Sequence, residues 1–182
     1  GLPTVGVPTG PYLDQATAAA RRRFDTQVAS LESAGFEVER IRVFDDIEAI
    51  NTHHETVLAA EAAAVHAEWY TQYPTRYSAE MVELIERGDD VAVGALGRAK
   101  RSMRQVRDSI ESAFTSAALD LFVAPPAPGV APEGLADDGD PVMNLPWTHA
   151  GLPTVALPTT RIDGLTFGVQ CTARFGADEG LL

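Results

Sequence analysis

The chain has 182 residues with a formal net charge of −12, and its 45% hydrophobic and 22% charged residues are typical of a folded domain with one sizeable core. An acidic surface repels phosphate backbones and anionic lipid, and no apolar run is long enough to cross a bilayer, so we expect neither nucleic acid nor a membrane as partner. Cys171 is the only cysteine, which excludes an intramolecular disulfide and favours a cytoplasmic location.

The first quarter of the chain predicts a strand, a helix and a second strand. Residues 5–7 form a short apolar run bounded by Gly and Pro. Asp14 can cap the helix that follows and Gly35 can end it, and its apolar stripe consists of Phe24, Val28 and Leu31. Apolar and charged residues alternate over 36–43, which indicates a strand. This order is typical of a βαβ unit.

The middle of the chain predicts three helices. The stripe of the first helix, which ends near Pro74, consists of Leu58, Ala62, Val65 and Trp69, and all four are expected in the core. The second helix covers 78–87 and ends at Gly88, and its buried residues are Met81, Leu84 and Ile85. The third begins at Asp89, where two aspartates suit the positive end of the helix dipole. Its seam is Leu96, Ala99, Met103, Val106, Ile110 and Phe114.

The remaining chain predicts three strands and a long loop. Residues 119–125 are apolar without alternation, which indicates a buried strand, and residues 124–140 are too rich in Pro, Gly and Asp to be anything but a loop. Strands are expected over 154–158 and 165–172. In the last strand Leu165, Phe167, Val169 and Cys171 form the expected core face. The other face is small and polar, with Gly168 where a backbone or ligand can approach closely.

Two segments of the chain are nearly the same: GLPTVGVPTG at 1–10 and GLPTVALPTT at 151–160 agree at seven of ten positions. An internal repeat extends over a whole structural element. Here the first copy is followed by a helical sequence and the second by a hairpin-like return. We therefore interpret both copies as strands with similar turns, not as a repeat.

The second copy and its neighbours resemble the carboxy-terminal signature of the amidase signature family, serine hydrolases that cleave carboxamides. The matching positions are Asn144, Pro146, 151–153, Pro158, Thr159, Gly164, Leu165, Gly168 and Gln170. Upstream, the familial features are 5–14, Gly35, Glu61, His66, 77–81, Gly88 and 120–132. Thr160 stands where Gly is usual and Thr166 where Pro is usual, which is expected to alter the pocket more than the fold. The resemblance implies α/β class: a mixed sheet flanked by helices, the carboxy-terminal portion of an α/β/α fold.

The residues that carry the family's chemistry are not found in this sequence. The resemblance implies a Ser nucleophile, a second Ser, a Lys, and a Gly/Ser-rich loop that holds the oxyanion. The only lysine is Lys100, and Ser102, two residues away on a predicted helix, points away from it. All serines lie on or at the start of predicted helices: 30, 33, 78, 102, 109, 112 and 116. We therefore assign no catalytic residue.

No metal or cofactor site is predicted either. The segment 53–56, HHET, has Leu58 where a zinc helix needs a second His. His66 is expected to be a hydrogen-bonded histidine at the edge of the core. The acidic segment 137–140 lacks the spacing and the distal Glu of a calcium loop. A basic helix face is interpreted as solvated, with an anionic-ligand patch as the alternative; it carries Arg98, Lys100, Arg101, Arg104 and Arg107.

One segment favours substrate binding: Asn144, Trp147, Thr148 and His149 precede a Gly turn between two predicted strands, where Trp and Asn can line a concavity. By resemblance this region borders the acyl or amine pocket. The alternative is a structural Trp that fills the loop against the sheet.

The sequence thus predicts a single α/β domain over 1–182, the carboxy-terminal segment of an amidase-type hydrolase acting on amide bonds. It would complete the fold and the pocket for a small amide substrate and be inactive without the missing amino-terminal part. Because strand edges would be exposed, we expect this chain to self-associate as a homo-oligomer. The alternatives are a fragment of the A subunit of a glutamine-dependent tRNA amidotransferase, a free-standing non-catalytic binding module, or a chain that pairs with a catalytic subunit.

Overall fold

The structure, a computed structural model, describes residues 1–134 and 138–181. Its strands are β1 (Thr4–Thr9), β2 (Glu37–Arg42), β3 (Leu121–Ala124), β4 (Thr154–Ile162) and β5 (Leu165–Thr172). Its α-helices are α1 (Pro11–Asp14), α2 (Ala18–Ser33), α3 (Ile47–Gln72), α4 (Ala79–Asp89), α5 (Val93–Ser116), α6 (Leu145–Ala150) and α7 (Asp178–Leu181). One-turn 3-10 helices cover Pro74–Arg76 and Pro141–Met143.

The five strands form one mixed sheet in the order β2-β1-β3-β5-β4. β1 is parallel to β2 and β3, whereas β5 is antiparallel to both β3 and β4. The β4–β5 hairpin closes at Asp163 and Gly164, whose φ angles of 49° and 84° are those of a tight mirror-image turn. β4 runs from Thr154 to Ile162 and so extends beyond the predicted 154–158. The expected α/β class, with a mixed sheet flanked by helices, is confirmed.

The predicted βαβ unit is confirmed, but its helix is capped differently. Asp14 lies at the end of the separate helix α1, which Pro11 starts, so it is not the cap of α2. Thr17 takes that role, and its hydroxyl oxygen accepts the Ala20 N–H at 3.2 Å. Gly35, with φ at 93°, follows the last turn and ends the helix as predicted.

Helices cover both faces of the sheet. On one face, α2 packs Phe24 and Val28 against Val5, Val7 and Val123 of β1 and β3. On the other face a larger cluster joins α1, α3, α5 and α6 to the sheet, and its aromatic members are Tyr12, Phe44, Phe114, Phe122, Trp147 and Phe167. Two covered faces explain why β3 has an apolar sequence without alternation.

The predicted buried face of α3 is wrong. Leu58, Val65 and Trp69 are 47%, 66% and 56% exposed, and the residues buried along this part of the helix are Val57, Ala59 and Ala63. Alanine recurs on every side of α3, so the spacing of its apolar residues does not single out one face. Although α3 is the longest described helix, neither it nor any other described helix is long and apolar enough to span a membrane.

Gly88 is also placed differently from the prediction. It lies inside α4, which continues to Asp89, and α5 starts only at Val93, so the two aspartates stand at the end of α4 and not at the start of α5. A Cβ atom at Gly88 would penetrate the backbone carbonyl of Ala59. The glycine therefore permits α4 to contact α3 closely.

The faces of β5 are both buried along most of the strand. Gln170 and Thr172, predicted for the polar face, are 1% exposed, whereas Leu165 of the predicted core face is 47% exposed. The reason is that helices pack on both sides of the sheet. Val169 and Cys171 pack against the cluster that α2 forms with β1 and β3. The close approach expected at Gly168 is confirmed, because a Cβ there would penetrate the Leu157 carbonyl of β4.

We predict that Gly88→Ala lowers the free energy of unfolding by about 1–3 kcal/mol, because the added methyl group forces α3 and α4 apart. Gly97→Ala is the matched control inside α5, where the nearest atom to the new Cβ is the mobile Arg101 guanidinium at 3.7 Å. It should stabilise the chain by about 0.5–1 kcal/mol. Urea titration measures both, and equal effects of the two substitutions would contradict the close contact.

Candidate functional site

A buried hydrogen-bond network joins four distant parts of the chain at the hydroxyl group of Tyr12. This hydroxyl donates to the Met143 carbonyl at 2.9 Å and accepts from Trp147 Nε1 at 2.9 Å and Gln170 Nε2 at 3.0 Å. Gln170 Nε2 also donates to the Met143 carbonyl at 3.1 Å. One donor and two acceptor positions are all a hydroxyl possesses, so the Tyr12 hydroxyl is fully used. We call these four residues the Tyr12 network.

The Tyr12 network lies in a nonpolar environment. Tyr12 is completely buried, and burial raises its pKa well above the ordinary value, although the bonds from Trp147 and Gln170 act in the opposite direction. The phenol therefore stays protonated and keeps its donor. The Trp147 ring meets the rings of Tyr12 and Phe44 edge-on, with centroids 5.8 and 4.8 Å apart. Edge-to-face packing of this kind adds to the stabilisation that burial provides.

The network fixes α6, the helix that carries most of the predicted site segment. Pro146 occupies its first turn, and Gly151 ends it in the left-handed region at φ 71°. Arg107 Nε donates to the Ala150 carbonyl at 2.6 Å, and its guanidinium lies 3.8 Å from the centroid of the Phe175 ring. A Cβ at Gly151 would come within 2.7 Å of this guanidinium. The segment predicted to precede a Gly turn between two strands thus forms a short helix that ends at Gly151.

A pocket of about 560 Å³ opens next to this helix, at the carboxyl ends of β1 and β3. Its walls come mostly from the Pro- and Gly-rich loop after β3, with Thr17 after β1 and Asn144 before α6. The Thr17 N–H donates to the Pro128 carbonyl at 2.8 Å, which attaches the loop to α2. Ligands of α/β proteins bind at this edge of the sheet, so the pocket is the candidate functional site.

The four predicted substrate-binding residues divide between the pocket side and the core. Asn144 is exposed and lines the pocket, and Thr148 is exposed. Trp147 is 1% exposed within the aromatic cluster, and His149 is fully buried. A helix of six residues necessarily turns neighbouring side chains in different directions. Substrate contact by these residues stays a prediction, which the geometry permits most directly for Asn144.

His149 contacts two neighbouring helices. Its Nε2 lies 3.1 Å from the Ser102 hydroxyl of α5, and its ring meets that of His54 on α3 with centroids 5.8 Å apart. Burial lowers the pKa of His149 to about 4, with a smaller effect from the charges of His54 and His53. No described residue forms a hydrogen bond with its Nδ1.

The environment of the Ser102–His149 contact does not favour a nucleophile and its base. A catalytic pair needs a third group that orients the imidazole, and Nδ1 has no such partner among the described residues. A histidine with a pKa near 4 is also a weak base at neutral pH. The pair is a buried hydrogen-bond contact between α5 and α6.

The other candidates from the sequence are in structural roles. The serines lie on or at the start of helices as predicted, and Lys100 pairs with Glu61 at 3.0 Å. His66 is hydrogen-bonded as expected, with Nδ1 2.9 Å from the Tyr77 hydroxyl. Within residues 1–134 and 138–181 no three His, Cys, Asp or Glu side chains are grouped to hold a metal ion. Asp137 of the acidic segment lies outside the described residues.

Sequence reasoning missed Tyr12 as a positioning residue. Its three hydrogen-bond partners are more than a hundred positions away in the chain, so no local spacing indicates the network. The family resemblance matched both the segment 5–14, which contains Tyr12, and Gln170. That resemblance is the one sequence signal that connects Tyr12 with Gln170.

Comparison with protein families matches residues 3–182 to the family described as Amidase, and the chain therefore belongs to the amidase family. This confirms the resemblance found in the sequence. Comparison with curated protein sequences gives no match.

Solved structures show the same fold. A crystal structure of an amidase is 22% identical with a TM-score of 0.86, over 98% of this chain and 43% of that one. A structure of a vestigial protein complex, which reveals the evolutionary origins of an s-triazine catabolic enzyme, is 26% identical with a TM-score of 0.75. The match covers 98% of this chain and 41% of that one. The A subunit of the glutamyl-tRNA(Gln) amidotransferase of Thermotoga maritima is 21% identical with a TM-score of 0.65. The match covers 98% of this chain and 40% of that one. The chain spans less than half the length of each.

We predict that Tyr12→Phe lowers the free energy of unfolding by about 1–3 kcal/mol, because the Trp147 N–H is left buried without a partner. The control is Tyr73→Phe, since the Tyr73 side chain is half exposed and its hydroxyl bonds no described residue. That substitution should change stability by less than about 0.5 kcal/mol. Chemical denaturation distinguishes the two, and a Tyr12→Phe chain as stable as the control would show that the network contributes nothing.

We also predict a loss of stability in mild acid that depends on His149. Its pKa of about 4 in the fold lies below the ordinary 6.5, so on acidification the unfolded chain takes up the proton first. The contribution of His149 is therefore complete above pH 6.5 and lost as the pH falls towards 4. The loss should be on the order of 2–3 kcal/mol. In His149→Leu this part of the pH dependence should vanish, and an unchanged slope would refute the assignment.

Proposed function

We propose that this chain is the carboxy-terminal segment of an amidase-type hydrolase acting on carbon–nitrogen amide bonds, in which it completes the fold and shapes the substrate pocket. The observation that supports this most is the composition of the pocket at the carboxyl ends of β1 and β3. None of its described lining residues is Ser, Cys, Lys or His. The pocket can hold a substrate, and we infer that other polypeptide supplies the nucleophile and its base in the intact enzyme.

The outer edge of β4 supports the same proposal. Among the described strands β4 pairs only with β5, so the backbone N–H and C=O groups on its other side are unpaired within the sheet. An exposed edge of nine residues is a template for a further strand. We infer that the intact enzyme continues the sheet across this edge, and that self-association of this chain would use it when the edge is free.

Asn144 is the residue we propose for substrate contact. Its side chain is exposed at the pocket and forms no hydrogen bond to another described residue, so its amide offers one acceptor and two donors. These groups complement a carboxamide, which likewise presents a carbonyl oxygen and N–H donors. The backbone around Asn144 is fixed, because its carbonyl accepts the Thr148 N–H at 3.0 Å and its N–H donates to the Pro141 carbonyl at 2.7 Å. Such fixed geometry reduces the entropy lost on binding.

A second candidate is the A subunit of a glutamine-dependent tRNA amidotransferase. The Thermotoga maritima protein has the same fold at 21% identity, which is consistent with this candidate and does not favour it. Two further candidates are a free-standing binding module and a chain that pairs with a separate catalytic subunit. All of these are compatible with a cytoplasmic location, which the single cysteine favours.

We predict that the purified 182-residue chain neither hydrolyses arylamides nor reacts with a fluorophosphonate probe, because none of the described pocket residues is Ser, Cys, Lys or His. In extracts of the source cells, an antibody raised to this chain should capture a protein much heavier than 19.4 kDa that the probe does label. Labelling of the chain by itself would refute the proposal. A captured protein of 19.4 kDa with a separate labelled partner would instead support pairing with a catalytic subunit.

For the active protein we predict that Asn144→Ala lowers kcat/KM for its amide substrate by about tenfold or more, without a loss of stability. The matched control is Gln72→Ala, an exposed amide at the end of α3, which should leave kcat/KM unchanged. Equal kinetics for the two variants would remove Asn144 from the site.

A further inference from the structure

A second concavity lies between α3 and α5 at the carboxyl end of β2, and we call it the α3–α5 groove. Its volume is about 500 Å³. One wall is a single face of α5 that carries Arg98, Arg101, Ser102, Gln105 and Ser109. These positions recur at helical spacing, so their side chains point to the same side. The opposite wall is the first turns of α3, including His53.

The groove has an excess of positive charge although the chain as a whole is strongly acidic. Three arginines line it against two aspartates. Arg42 Nε pairs with Asp45 at 2.6 Å, and Asp46 accepts the Ala49 N–H at the start of α3. Arg98 and Arg101 have no ion pair with any described residue. The charge left over is that of one arginine, which suits a monovalent anion.

The remaining cations of the same helix show that this arrangement is specific to one face. Lys100 pairs with Glu61 at 3.0 Å, and Arg107 donates to the Ala150 carbonyl and covers the Phe175 ring. Neither residue lines the groove. Arg104 is exposed and does not line the groove either, so it serves as the control.

The floor of the groove is nonpolar. Val43, Phe44, Ile50 and Ile110 line it and are otherwise buried in the main core cluster. Apolar atoms at the base of a donor-lined groove bind an apolar body and leave the charged end of a ligand to the rim. Inorganic anions lack such a body, so the floor favours an organic anion.

We propose that the α3–α5 groove binds a small organic monocarboxylate, with its carboxylate between Arg98 and Arg101 and its apolar part against Val43 and Ile50. The two guanidinium groups lie on adjacent turns of one helix face and offer paired N–H donors that match the two carboxylate oxygens. The Ser102 hydroxyl, held near His149 Nε2 at 3.1 Å, lies beside them. This inference does not rest on the proposed amidase function.

The test is calorimetric titration of the full chain with 4-methylpentanoate, and in parallel with the neutral 4-methylpentanamide and with inorganic phosphate. We expect saturable one-to-one binding of the carboxylate only. Arg98→Gln and Arg101→Gln should each raise Kd by about three- to tenfold, because each exposed arginine contributes one charge-assisted contact. Arg104→Gln removes the same charge from the same helix and should change Kd by less than about twofold. All three substituted residues are exposed, so the variants should remain folded.

Four results would overturn the proposal. Equal weakening by Arg104→Gln would mean that the carboxylate senses only the general charge of α5. Binding of the amide as tight as that of the carboxylate would remove the arginines from recognition. Phosphate binding tighter than the carboxylate, or no saturable binding of the carboxylate to the folded chain, would show that the apolar floor has no ligand of this class.

Discussion

The hydroxyl group of Tyr12 is the point on which the rest of the structure depends. It joins α1, the 3-10 turn at Met143, α6 and β5 through three hydrogen bonds that use its full capacity. Because the site is completely buried, loss of any bond leaves a polar atom without water to replace it. The network therefore places α6 on the sheet, and with α6 it places Asn144 at the rim of the pocket. In this chain the Gln170 of the family motif is a positioning residue.

The sheet and its covering helices explain why both concavities lie at the carboxyl ends of the parallel strands. β1, β2 and β3 run in the same direction, and the loops that follow them leave from one edge. The pocket after β1 and β3 is lined mostly by a Pro- and Gly-rich loop, and none of its described lining residues is Ser, Cys, Lys or His. The groove after β2 holds Arg98 and Arg101, which form no ion pair with a described residue. The same edge thus carries both the pocket that we propose for an amide substrate and the groove that we propose for a carboxylate.

Much of the fold could be predicted because its signals are local. Neighbouring residues are sufficient to indicate the apolar run of β3, the glycine after α2 and the hairpin of β4 and β5. The buried face of α3 could not be predicted, because alanine occurs all around the helix. Which face is buried depends on where Gly88 allows α4 to approach α3. The site was predicted as a segment, but the inward direction of Trp147 and His149 depends on partners on α1 and α5. Tyr12 and Gln170 are 158 positions apart, a separation that no periodicity spans.

Hydrogen exchange of the two tryptophan indole groups, followed by NMR, tests the central role of the Tyr12 network most directly. The chain contains only Trp69 and Trp147, so each indole N–H gives one resolvable signal. Trp69 is 56% exposed and provides the internal reference for an open indole. We predict that the Trp147 N–H exchanges only through global unfolding, with an opening free energy equal to the stability measured by denaturation. Exchange of Trp147 at a rate near that of Trp69 would contradict it, because the bond to the Tyr12 hydroxyl would then open without unfolding the chain.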